Sequence, residues 1–125
     1  MIDHVSIGVR DLDVSARFYE TVLGTLGFAR LETRPDTVGF GKKYTEFWIT
    51  QRRDRRQAAA ESGSHVCLRA RSPEIVDAFH AAALQAGGSS DGAPGLRPRH
   101  GEGYYAAFIR DLDGNRIEAV TFLTK

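Results

Sequence analysis

The sequence predicts an α+β fold built from two βαβββ modules, and three observations predict it. First, the chain repeats itself. His4-Val5-Ser6-Ile7-Gly8-Val9-Arg10 is answered by His65-Val66-Cys67-Leu68-Arg69-Ala70-Arg71, an offset of 61 positions (65 − 4 = 61). Phe18 and Phe79, and Gly27 and Gly88, keep that offset. Second, each copy passes from two-residue alternation to a helical stripe, the change of period that separates strand from helix. Third, turn residues punctuate the segments on the C-terminal side of each helix.

Val5, Ile7 and Val9 share one face of a first strand, with His4, Ser6 and Gly8 on the other. A helix is expected over Asp11 to Leu26, capped by Asp11 or Asp13, with Val14, Phe18, Val22 and Leu26 as its apolar stripe. Gly24 and Gly27 stop it. Phe28–Leu31, Val38–Phe40 and Tyr44–Thr50 read as strands, separated by Arg34-Pro35-Asp36 and Gly41-Lys42-Lys43 turns. Arg52 to Gly63 reads as a linker between modules, with a helical turn as one option. Its charge run Arg52-Arg53-Asp54-Arg55-Arg56 is expected to be a solvated face. The second module restarts at Ser64 with the His65–Arg71 strand. Ser72-Pro73 opens a helix whose stripe is Ile75, Ala78, Phe79, Ala82 and Ala83, and Gly87-Gly88 ends it. Ser89 to Gly103 reads as loop-rich. Tyr104–Arg110 and Arg116–Leu123 are strands around the tight turn Asp111-Leu112-Asp113-Gly114-Asn115.

A length of 125 residues fits one domain (module 1 about 1–51, linker about 52–63, module 2 about 64–125), with 42% hydrophobic and 26% charged residues typical of a globular protein. A net charge of +1 gives no reason to expect nucleic acid or a membrane surface, and no apolar run is long enough to span a bilayer. No secretory pattern is visible, and the single Cys67 excludes an intramolecular disulfide, so the expected location is cytoplasmic.

The chemistry is expected on polar residues inside strands. His4 and His65 occupy equivalent positions and point away from the helices. Glu118, in Arg-Ile-Glu-Ala-Val, and Glu46, in Tyr-Thr-Glu-Phe-Trp-Ile, lie on the last strands of the two modules. Two imidazoles and one or two carboxylates form a mixed nitrogen and oxygen set suited to one divalent ion such as Zn, Ni, Fe, Mn or Co. Trp48 shares the parity of Glu46, and is expected either to line the cavity wall with it or to lie in the core. If register turns Phe47 inward, Glu46 faces solvent. Arg69 is a candidate to anchor a substrate carboxylate or neutralise Glu118, and His100 and Tyr104 to orient substrate. Cys67 is expected to be a small wall residue, and His80 to be exposed.

These residues make a pattern. Asp3-His4-Val5, Asp11-Leu12, Ser15, Phe18-Tyr19 and Leu26-Gly27-Phe28 resemble the opening of the glyoxalase/bleomycin-resistance/extradiol-dioxygenase superfamily, the vicinal oxygen chelate proteins. Phe108 to Val120 resembles its closing segment, with Leu112 where proline is usual. The resemblance implies paired βαβββ modules forming a cupped, incomplete barrel. It places the family's metal positions on His4, His65 and Glu118, and a further glutamate of glyoxalase I-like members on Glu46. It implies a divalent-metal lyase or isomerase of glyoxalase type, acting on a small α-oxo or hydroxy compound with vicinal oxygens. Glu118 and Glu46 would then be its proton-moving carboxylates, and a homodimer its usual assembly. Alternatives within the resemblance are an extradiol-type dioxygenase and a metal-free drug-binding protein.

Overall fold

The computed structural model describes residues 1–54 and 62–123. The expected linker falls largely on residues 55–61, which lie outside the described residues. Among the described residues, eight strands and two α-helices run in the order β1 (Val5–Val9), α1 (Leu12–Gly24), β2 (Ala29–Thr33), β3 (Thr37–Gly41), β4 (Thr45–Gln51), β5 (Val66–Arg69), α2 (Pro73–Gln85), β6 (Ser89–Leu96), β7 (Tyr104–Arg110) and β8 (Arg116–Phe122), with a short 3-10 turn at Pro98–His100. The fold is α+β, with one four-stranded mixed sheet per module, ordered β1-β4-β3-β2 and β5-β8-β7-β6. In each, the first strand pairs in parallel with the last and the remaining pairs are antiparallel. Neither sheet closes on itself, so each is a cup rather than a barrel. No helix among the described residues is long and apolar enough to cross a membrane.

The helix starts are as the sequence predicts. Asp11 accepts from the Val14 amide, and Ser72 accepts from the Ile75 amide with Pro73 following. The buried faces differ from the predicted stripes. In α1, Val14 is exposed, while Leu12, Ser15, Ala16, Phe18, Tyr19, Val22 and Leu23 are buried. In α2, Val76 joins Phe79 and Ala83 inside, and Ala78 is exposed. The reason is that each helix packs on a sheet and also approaches the other helix, so its buried arc is wider and rotated relative to a single stripe.

β6 also departs from expectation. Ser89–Leu96 is a strand although Gly92, Pro94 and Gly95 suggest a loop. It pairs with β7 through two register shifts, and the glycines sit at those irregularities.

One core unites the modules. Val9, Phe18, Tyr19, Phe40, Phe47 and Ile49 join Phe79, Ile109 and Ile117 in a single buried cluster. The β7–β8 turn pins it. Buried Asp111 accepts from the Tyr19 hydroxyl at 2.6 Å, the Asn115 side chain and amide at 2.8 Å, and the Asp113 amide at 2.9 Å. Asn115 donates on to the Gly8 carbonyl at 3.0 Å, and Asp113 accepts from the Arg10 amide at 3.1 Å. The closing motif therefore ties module 2 to the end of β1. Burial pushes the Asp111 carboxyl up from its ordinary value, against the downward pull of its hydrogen bonds.

Candidate functional site

The core takes one face of each sheet and leaves the other open. Because strand neighbours alternate, β5 and β8 send His65, Cys67, Arg69, Arg116 and Glu118 to the open face of module 2. Parallel pairing sets Cys67 against Glu118, and antiparallel pairing sets Phe108 against Glu118 and Tyr104 against Phe122. Glu118 lies at the floor of this cup with only 2% of its surface exposed. One carboxylate oxygen lies 3.0 Å from His65 Nε2, and the other accepts from the Tyr104 hydroxyl at 2.5 Å. Among the described residues no lysine or arginine forms an ion pair with it; His65 is its sole basic partner.

This buried carboxylate organises its neighbours. Desolvation, then the Glu118 carboxylate, push the Tyr104 phenol above its ordinary range, so it stays a hydrogen-bond donor. Although Cys67 is exposed overall, its sulfur is desolvated by the cup, and with Glu118 alongside its thiol is pushed up to about 12. That makes it a weak nucleophile. The His100 ring lies 5.1 Å from the Tyr104 ring, and the Arg69 guanidinium lies 4.6 Å over Phe122. Arg69 therefore packs on an aromatic ring instead of neutralising Glu118.

Module 1 presents a different open face. His4, Ser6, Arg34, Thr37, Trp48 and Thr50 line a cavity of about 360 Å³. His4 is half exposed and bonded to Asp3 at 2.8 Å. Trp48 leaves the core and lines this wall. A side chain on Gly39 would come within 2.9 Å of its ring, so Gly39 makes room for the indole, and Arg34 lies over the ring at 4.9 Å. Phe47 turns into the core rather than the cavity and is fully buried, so Glu46, partly exposed, keeps the parity of the cavity-lining Trp48.

Register changes the equivalence expected between the two glutamates. Val5 pairs with Phe47 and Val66 with Ile117. The counterpart of Glu118 is therefore Trp48, and the counterpart of Glu46 is Arg116. Parity had placed both first-module residues on the right face, but register decides which one occupies the position.

The chain thus brings together His65, Glu118 and Tyr104. It does not bring His4 or Glu46 to them: among the described residues no three histidine, cysteine, aspartate or glutamate side chains cluster as a metal set. The residues that sequence reasoning missed are Asp91, Arg97 and Arg116, which with His65, Gly92 and Phe108 line a cavity of about 310 Å³. The available signal was the parity Arg116 shares with Glu118. His80, expected to be exposed, is partly buried with Nε2 2.8 Å from the Ser90 hydroxyl, and burial lowers its pKa.

Comparison with known proteins agrees with this architecture. A family model described as Glyoxalase/Bleomycin resistance protein/Dioxygenase superfamily matches residues 1–119. A solved glyoxalase/bleomycin resistance protein from Albidiferax ferrireducens is 38% identical, with a TM-score of 0.82 over 96% of this chain and 97% of its own. A family enzyme from Burkholderia phytofirmans is 20% identical, with a TM-score of 0.74 over 97% and 98% of the two chains. A genomically encoded fosfomycin resistance protein from Listeria monocytogenes is 14% identical, with a TM-score of 0.70 over 96% and 91%. The last two share the fold alone. No curated protein matches the chain.

Proposed function

The chain belongs to the glyoxalase/bleomycin resistance protein/dioxygenase superfamily, and from that premise we propose that it is a divalent-metal-dependent, glyoxalase-like lyase or isomerase. Its substrate would be a small α-oxo or hydroxy compound with vicinal oxygens, and its location cytoplasmic. The observation that carries this reading is the buried Glu118 carboxylate, braced by His65 and Tyr104 and unpaired with any described lysine or arginine. A desolvated carboxylate is costly without a cation.

The donor set fits a divalent ion. The 3.0 Å between His65 Nε2 and Glu118 Oε1 is close to the spacing of neighbouring ligands that each sit about 2.1 Å from one ion. Tyr104 fixes the second carboxylate oxygen, as outer partners of ligands do. His65 and Glu118 would hold the ion from one chain, and His4 from a second copy. His4 and His65 head separate half-cups of one chain, so a homodimer in which the His4 face of one protomer covers the His65 cup of the other would complete the set.

A bound divalent ion supplies Lewis-acid stabilisation of negative charge developing on the substrate's vicinal oxygens. The chain's own residues do the rest. Glu118 and Glu46 are the carboxylates for moving a proton between adjacent carbons. Both Glu118 oxygens are already engaged, whereas Glu46 is partly exposed and shares the His4 face, so Glu46 is the freer proton carrier and an additional donor to the ion. Trp48 walls the cavity and excludes water, and His100, Tyr104 and Arg69 orient the substrate at the rim.

The test has two parts. Metal analysis of wild type beside His65→Ala is expected to find near-stoichiometric divalent metal lost in the variant; a metal-free wild type after reconstitution would remove the reading. Mixing His4→Ala with Glu118→Ala protomers is expected to restore turnover on a 2-oxoaldehyde–thiol adduct, because one heterodimer site then holds both intact halves. With both halves in one chain, mixing would restore nothing.

A further inference from the structure

The wall of the module 2 cup beyond Glu118 carries more positive charge than the described residues neutralise. Among the described residues Asp91 is the sole carboxylate lining the 310 Å³ cavity, and two arginines share it. Arg110 Nε lies 3.4 Å from one of its oxygens and Arg116 Nε 3.5 Å from the other. Arg116 Nε is buried and makes no hydrogen bond.

Arg97 has no carboxylate partner among the described residues. Its guanidinium donates to the Ala93 carbonyl at 2.5 Å and the Leu96 carbonyl at 3.4 Å, and lies 5.5 Å over the Phe108 ring. A side chain on Gly92 or on Gly95 would come within 3.2 Å of its terminal nitrogens. The glycines of β6 therefore form a seat for this group. Carbonyls and a ring face position a guanidinium without cancelling its charge, and a group held in place before binding loses little entropy on binding.

We infer that this cavity is an oxyanion subsite, with Arg97 and Arg116 taking a carboxylate or phosphate carried by the substrate. The inference rests on the proposed function, since the anion is a substituent of the molecule handled at His65 and Glu118. His65 lines the same cavity, so the anionic end would lie beside the reacting end. Planar guanidinium forks favour such groups by paired hydrogen bonds.

The experiment follows the arginine Nε–Hε resonances of metal-free protein during titration with acetate or inorganic phosphate at constant ionic strength. Saturating shifts are expected at Arg97 and Arg116 and not at Arg30, which lies on β2 of module 1 outside the cavity lining, with binding weakened at least fivefold in Arg97→Met and less in Arg97→Lys. The tighter of the two anions identifies the group. Shifts that never saturate, or that are equal at Arg30, would overturn the inference, and the wild-type titration decides this even if a variant fails to fold. Saturation in a protein that takes up no metal would keep the subsite and remove the metal reading. Full metal loading without saturation would do the reverse.

Discussion

The two modules share a scaffold and differ in what they bury on their open faces. Module 2 places a carboxylate, Glu118, at the floor of its cup with His65 and Tyr104 on its two oxygens. Module 1 places Trp48 at the equivalent position, over Gly39 and beneath Arg34. At this one equivalent position one half carries a buried charge and the other an aromatic ring. A duplicated fold can thus keep its scaffold while one equivalent position changes from a charged floor to an aromatic wall.

Breaking the polar half should have the largest effect. Glu118→Gln keeps the shape of the floor and removes its charge. The expected outcome is loss of metal affinity by more than about 100-fold, beyond the effect typical of an outer partner, read by competition with a chromophoric chelator. Unchanged affinity would place the ion elsewhere.

The contact between the modules comes next. Asp111→Ala removes the buried acceptor that Tyr19, Asn115 and Asp113 share, which should cost about 3 kcal/mol in urea unfolding. The pH dependence has a definite sign. A carboxyl whose native pKa is raised binds its proton more tightly folded than unfolded. Its contribution to stability is therefore present at low pH and falls as pH rises from about 3.8 through the raised native value. Asp111→Asn should remove that slope, and an unaltered pH profile would show that Asp111 does not carry it.

Tyr104→Phe sharpens the comparison without discharging the cup. Loss of one hydrogen bond to Glu118 should weaken metal binding by about tenfold and leave folding intact. The same variant should leave Cys67 inert, because desolvation leads the rise of its thiol to about 12. Alkylation at pH 8 should be slow in both proteins, and rapid labelling of either would contradict this account.

Much of the fold was legible because local chemistry and periodicity agree with it. Asp11 and Ser72-Pro73 cap the helices they were expected to cap, and the two histidine-led strands begin equivalent modules. What failed needed the third dimension. β6 hides behind Gly92, Pro94 and Gly95, whose loop character is used for bulges within a strand. The helix faces were rotated because α1 and α2 also meet each other. In the candidate site, parity put His65, Cys67 and Glu118 on one face. Parity could not choose between Glu46 and Trp48, because that choice depends on pairing across β1 and β4. Nor could it show that Arg97 would lie over Phe108, since that contact comes from the irregular path of β6.

The smallest effect is expected at the aromatic position, and it tests whether Trp48 is merely a wall. Arg34, itself exposed, stacks on the half-buried Trp48 and also makes an exposed ion pair with Glu32 at 2.8 Å. A cation over an indole at an exposed site contributes about 0.5–1 kcal/mol, and an exposed ion pair less than that. Arg34→Ala should therefore lower unfolding stability by less than about 1 kcal/mol. It should free the indole and broaden its fluorescence, while metal affinity at Glu118 stays within twofold of wild type. A large fall in metal affinity from this substitution would mean that the Arg34–Trp48 stack, and not only His4 and Glu46, supports the proposed ion site, and Trp48 could no longer be treated as a passive wall.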